Sequence, residues 1–257
     1  MNNGIFEKIE EANTPNFGNI LSKSFELFKK VWEQALYHVL ITMVVVIPMI
    51  LVIYVPYILF MFYGMEYDSY GYYQEPDFLQ YLPYIALYAL LVFLVVFLGQ
   101  TVVFGVTAHF LQVLRKADTG SSEEIGGYFE FVKRDFKKLL MLSLASVGIM
   151  MLAALLCYLP IFYVMVPLQL VVVFYAFQQE LSVSDILKAS FKLGNKFWII
   201  IFGLVIISSM IAQVGILLCI VGVFFTAYFV HVPMYYVYKD TIGFEDVLDE
   251  IKGVGSL

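Results

Sequence analysis

Four long stretches of the chain contain no Asp, Glu, Lys or Arg: residues 34–65, 78–114, 139–179 and 197–238. They run for 32, 37, 41 and 42 residues. A hydrocarbon core about 30 Å thick takes about 20 helical residues to cross. The two longer stretches therefore each predict two spans joined by a tight turn, and the two shorter ones predict one long span each. The pattern predicts an all-α integral membrane protein with six transmembrane helices. Spans one and two fall at about 35–60 and 82–112, spans three and four meet at Leu159-Pro160, and spans five and six meet near Gln213-Val214-Gly215. Pro48 and Pro56 lie inside span one, which predicts a kink near Pro48. Small residues form stripes that admit a neighbouring backbone: Thr101, Gly105 and Ala108 on span two, and Gly215, Cys219, Gly222 and Thr226 on span six.

The polar segments between these stretches contain a repeat. Residues 20–32 read ILSKSFELFKKVW and residues 186–198 read ILKASFKLGNKFW, identical at seven of 13 positions. A weaker copy, YFEFVKRDF at 128–136, aligns Phe129 with Phe25, Phe131 with Leu27, Arg134 with Lys30 and Phe136 with Trp32. Each copy precedes a pair of spans. On a helical wheel, Val183, Ile186, Leu187, Phe191, Leu193, Phe197 and Trp198 share one arc, while Lys188, Lys192 and Lys196 run at i, i+4 and i+8 along the other. This predicts an amphipathic helix lying in the membrane interface, bases to water and apolar arc to acyl chains. The expected unit is one such interfacial helix plus a transmembrane pair, in three parallel repeats at about 16–112, 121–179 and 183–238. Residues 1–257 form a single membrane domain with short polar tails at 1–15 and 239–257. The helices 16–32, 121–137 and 183–197 are expected to form a belt on one membrane face, with Ser121 or Ser122 capping the second. Lys30, Trp32, Arg134, Lys188, Lys192, Lys196 and Trp198 are then the candidate contacts to lipid or to a partner.

Composition agrees with the pattern. The chain is 61% hydrophobic and 14% charged, against about 25% charged for a soluble domain. All 15 Lys and Arg lie in segments 1–33, 115–138, 180–196 and 239–257. The remaining polar loop, 66–77, has none and carries Glu66, Asp68, Glu75 and Asp77. The positive-inside rule then puts both termini in the cytoplasm. No cleavable leader is expected, because Glu7, Glu10 and Glu11 are wrong for a basic n-region. The tyrosines of the outer loop (Tyr67, Tyr70, Tyr72, Tyr73 and Tyr81) suit an aromatic belt. Net charge is −6, which gives nucleic-acid binding no support.

Candidate chemistry is sparse. No span contains an ionisable Asp, Glu, Lys or Arg, so ion coupling has no carboxylate to use. Gln100, Gln169 and Gln213 are the polar amides of the spans, and hydrogen bonding between helices is their expected role. His38, His109 and His231 fall at similar depth near the cytoplasmic ends of spans one, two and six. They lack metal-site spacing, and isolated interfacial histidines are expected, with no metal or other cofactor. Cys157 and Cys219 both fall near outer span ends and are expected as packed thiols rather than a disulfide. There is no GxSxG and no phosphate-binding GxxxxGK[ST].

The stretch from Ser184-Asp185-Ile186-Leu187-Lys188-Ala189-Ser190-Phe191-Lys192-Leu193 to Trp198, between spans four and five, resembles a hallmark of six-helix bacterial inner-membrane proteins of the YciC type. It is similar to the membrane domain that precedes some glycerophosphodiester phosphodiesterases, over roughly 16–238. The resemblance implies a location in the bacterial cytoplasmic (inner) membrane and no catalytic residues. The expected function is a non-enzymatic membrane protein that organises lipid, or serves as a membrane subunit or docking surface for a protein partner or a second copy. A small-solute or lipid transporter or channel is the alternative, and a membrane enzyme acting on lipid or isoprenoid the third reading. A transporter would show a continuous polar path. An enzyme would bring the histidines, or Glu75 and Asp77, into a cleft.

Overall fold

The structure is a computed structural model that describes residues 3–69, 78–122, 124–156, 158–217 and 222–244. Residues 70–77 of the tyrosine-rich loop, Cys157, Cys219 and the tail from 245 lie outside the described residues. The elements are α1 (Asn3–Glu11), α2 (Phe17–Ser69), α3 (Phe78–Thr119), α4 (Glu130–Leu155), α5 (Leu159–Phe177), α6 (Val183–Lys196), α7 (Trp198–Leu217), α8 (Val223–Thr226), a 3-10 turn (Ala227–Val230) and α9 (His231–Thr241). No strand occurs among the described residues. Five of the helices (α2, α3, α4, α5 and α7) are long and apolar enough to cross a membrane. Their outer faces carry exposed Val44, Leu87, Leu152 and Ile199, a surface that water would not tolerate over this extent.

The segment expected as span six is broken into α8, the 3-10 turn and α9. Pro233 sits in the first turn of α9, where a missing N–H does no harm. Val232, Tyr235, Val237 and Tyr238 are fully enclosed. The small-residue stripe expected on this span is also corrected. α7 runs through Gly215 and α8 begins only at Val223, so Gly215 and Gly222 do not share a helix, and their backbones face each other. A Cβ on Gly215 would collide with the Gly222 backbone, and the Thr226 hydroxyl donates to the Ala212 carbonyl at 2.7 Å. Gly105 does admit a neighbour, the Val132 side chain of α4.

Only the third copy forms a short helix of its own, α6, set off from the long helix that follows it. α2 runs unbroken through residues 17–69, so the first copy is an upright extension of span one, and it continues through Pro48 and Pro56. The second copy begins at Glu130, residues 124–127 are not helical, and neither Ser121 nor Ser122 caps it. The backbone leaves helical geometry at Asp135 (φ −122°, ψ 31°) and at Phe197 (φ −119°, ψ 31°). In the sequence alignment both positions match Val31, which stays helical and buried. The third copy has Gly194-Asn195 just before its break, both weak helix formers, where the first has Phe28-Lys29. Ser24 and Ser190, also equivalent, each donate to the carbonyl four residues back (Ile20 and Ile186) at 2.7 Å.

The apolar arc of α6 faces protein rather than acyl chains. Ile186, Ala189, Ser190 and Leu193 are buried, and Gly194 lies against the Pro167 backbone of α5. Ser182 caps the helix by accepting from the Asp185 amide at 3.2 Å. The tail expected at 1–15 is largely helix: α1 buries Ile5 and Ile9 and docks on α6. Lys196 donates to the carbonyls of Ile9, Glu10 and Ala12 at 2.9, 2.5 and 2.9 Å, closing the C-terminus of α1. Lys192 pairs with Glu10 at 2.5 Å and holds that carboxyl below the usual carboxylate range. The pair's contribution is full above the ordinary carboxylate pKa and lost as pH falls through the lowered value. Spin labels at Gly4 and Ser184 should therefore give a narrow distance distribution at neutral pH that broadens in acid. Glu10→Gln should give the broader distribution throughout; identical behaviour of the two proteins would contradict this role.

Candidate functional site

Helical spacing turns one face of each of three helices toward a common space. α3 contributes Gln100, Val103, Phe104 and Thr107, α5 contributes Met165, Leu168, Gln169 and Val172, and α4 contributes Ser146, Val147 and Met150. Thr42 of α2, and Ala227, Tyr228 and His231 around the 3-10 turn, complete the wall. The cavity measures about 480 Å³, within the range of small-molecule sites of ~300–1,000 Å³. Most of its wall is apolar. Among its polar groups, Ser146 Oγ is buried with no hydrogen-bond partner among the described residues. Gln100 and Gln169 line this cavity and make no hydrogen bond to another helix among the described residues, correcting their expected role. An amide that does cross between helices is Gln112, donating to the Ala176 carbonyl at 2.6 Å.

A second cavity of about 490 Å³ lies at the Lys/Arg-bearing end. It is bounded by Lys30, Val31 and Gln34 of α2, by His109, Val113, Lys116 and Ala117 of α3, and by Ile125, Gly126 and Tyr128 of the connecting segment. Gly126 sits at φ +78°, where a Cβ is disfavoured, and this turns the segment over the cavity.

A file of rings runs from one cavity wall to the other. His38 Nε2 and His109 Nδ1 are 2.8 Å apart, both rings are buried, and the His38 ring lies 5.6 Å from that of Tyr228. The expectation of isolated histidines is thus corrected: two of them share a hydrogen bond. Tyr228 OH and Thr42 Oγ1 meet at 2.7 Å, and the His231 ring is 5.2 Å from Tyr228. The proton assignment follows from counting donors. The Gln34 carbonyl, 2.6 Å from His38 Nδ1, can only accept, so His38 Nδ1 carries the proton. In a neutral ring His38 Nε2 must then accept, and His109 Nδ1 donates to it. With His109 neutral as well, its Nε2 is left with a lone pair, 3.4 Å from the Gly126 carbonyl. That lone pair faces the second cavity. Among the described residues no three of His, Cys, Asp and Glu gather closely enough to share a metal ion.

The seven residues expected to face lipid or a partner do not form one surface. Lys30 lines the second cavity, and Lys188 is exposed. Lys192 and Lys196 are taken up by α1. Arg134 bonds Gln179 at 2.8 Å and Asp135 at 3.1 Å. Trp32 is part-exposed beside Phe225, and Trp198 donates to the Tyr163 carbonyl at 3.1 Å. These bases instead help to bind the polar segments to one another. Lys23 pairs with Asp240 at 3.2 Å, and Asp118 accepts from Tyr235, Tyr236 and Lys239 at 2.8, 3.0 and 2.5 Å. With the Arg134–Gln179 and Lys192–Glu10 contacts, all four Lys/Arg-bearing segments meet at one end of the bundle. Asp118 and Gln179 carried no sequence signal beyond being polar at the end of an apolar run. Comparison of the chain with protein-family models, with curated proteins and with solved structures gave no match.

Proposed function

We propose that this chain is a non-enzymatic integral membrane protein of the bacterial cytoplasmic membrane that holds a lipid or similar amphiphile inside its helical bundle. The observation that carries the reading is the cavity of about 480 Å³ between α3, α4 and α5, apolar along most of its wall with a few convergent polar groups. A membrane-embedded pocket of this character suits an acyl or isoprenoid chain ending in a polar group. Six passes in three parallel repeats, with α8, the 3-10 turn and α9 as the last pass, suit the alignment of breaks at Asp135 and Phe197. The resemblance of 184–198 to six-helix inner-membrane proteins supports the same reading.

Nanodiscs containing a phospholipid with a photoreactive acyl chain should yield crosslinks to Met150 and Met165. Val147→Trp, which fills the cavity, should reduce them several-fold without reducing crosslinks at outward-facing Leu152. Unchanged crosslinking at Met150 would contradict the reading. Gathering of all Lys/Arg segments at one end supports cytoplasmic termini. In a variant lacking Cys157 and Cys219, a cysteine introduced at Asp77 should react with an impermeant thiol reagent in whole cells, and one at Gly127 should not. The opposite pattern would overturn the orientation.

A second reading, passage of a small solute, draws on one observation: the rings of His109, His38 and Tyr228 link the walls of the two cavities. Solute flux into proteoliposomes that is lost in His38→Phe would favour it over lipid holding.

A further inference from the structure

The second cavity combines features that the inner one lacks. Lys30 and Lys116 line it from two helices, and among the described residues its wall contains no acidic side chain and neither lysine has an acidic partner. Elsewhere at this end the bases are largely spent: Lys23, Arg134, Lys192, Lys196 and Lys239 all bond protein groups. Two unpaired ammonium groups on one concave wall favour a bound anion. Depth identifies the kind of anion. Lys30 stands two residues before Trp32, the aromatic that marks the interface, and the charge-free run of α2 starts at Gln34. The cavity is therefore level with the headgroup phosphates of the bilayer. Val31, Val113, Ala117 and Ile125 give it an apolar side suited to the first carbons of a glycerolipid. The His109 Nε2 lone pair adds the last requirement, because it accepts a hydrogen bond where the lysines only donate.

We infer that this cavity binds the headgroup of an anionic phospholipid, its phosphate diester between Lys30 and Lys116 and a headgroup hydroxyl donating to His109 Nε2. A glycerol headgroup has both parts. The inference rests on the membrane placement proposed above and not on occupancy of the inner cavity, so either can fail alone.

The test is native mass spectrometry of the full chain released from nanodiscs of phosphatidylglycerol and phosphatidylcholine. Phosphatidylglycerol should be retained several-fold over phosphatidylcholine. The paired change Lys30→Gln and Lys116→Gln should abolish that preference, whereas Lys133→Gln with Lys188→Gln, an equal loss of charge on exposed lysines of the same end, should leave it. Equal loss from both pairs would mean diffuse surface charge and would overturn the site. Phosphatidylmethanol carries the same phosphate diester without a hydroxyl. It should be retained less well than phosphatidylglycerol by the unaltered protein and equally well by His109→Phe; equal retention by the unaltered protein would overturn the hydroxyl contact. Displacement of the lipid by inorganic phosphate at matched ionic strength would assign the lysines to a free phosphate and overturn the lipid assignment.

Discussion

Gly194→Ala is expected to lower the thermal stability of the purified protein, while Gly148→Ala raises it. Both glycines lie inside helices, where replacing Gly by Ala normally stabilises by about 0.5–1 kcal/mol. At Gly148 the new Cβ meets nothing within 4 Å, so that gain is realised. At Gly194 it would stand 2.8 Å from Pro167 Cα and 3.2 Å from its backbone nitrogen. Backbone on both sides cannot rotate away, so α6 and α5 must separate. Overpacking of this kind costs about 1–3 kcal/mol and outweighs the propensity gain. The net loss, about 1–2 kcal/mol, corresponds to a Tm fall of about 2–6 °C for a chain of this size. A rise in Tm for both variants would mean that α6 does not rest on Pro167.

The second large effect concerns the buried histidine pair. His38→Phe should destabilise by about 1–3 kcal/mol, because it leaves His109 Nδ1 without its partner in a dry site. His109→Phe should behave similarly. The double substitution should cost less than the sum of the two, since both polar partners then disappear together. The coupling is expected near 1 kcal/mol, in keeping with hydrogen bonds between membrane helices, which average about 0.6 and reach about 1.7 kcal/mol. Thermal unfolding of the four proteins in one detergent measures it. Strict additivity would contradict a direct His38–His109 bond.

The long helices were legible because charge is so costly in hydrocarbon that its absence over more than 30 residues marks a span. The twofold bookkeeping of Lys and Arg marked one end of the bundle for the same reason. The amphipathic character of 186–198 was legible too, but not what its apolar arc touches: an arc that suits acyl chains suits a neighbouring helix equally well, as at Pro167 of α5. Lys192 and Lys196 read as solvent-facing because nothing in the sequence announces that α1 folds back on them. Gln100 and Gln169 lie 69 positions apart, and only the packing of α3 against α5 brings them to one cavity. His38 and His109 likewise have no short-range spacing, since α2 and α3 are antiparallel neighbours that bring distant positions level. The first copy of the repeat misled most. Its identity to the third at seven of 13 positions suggested the same break, yet the backbone leaves helical geometry at Asp135 and Phe197 and not at the equivalent Val31.

An experimental structure determined in discs of native bacterial lipid tests the central claim most directly. The account predicts elongated density in the inner cavity, its apolar length against Met150 and Met165 and its polar end near Gln169 or His231. A cavity filled by ordered water alone, or closed by inward movement of α4, would contradict it.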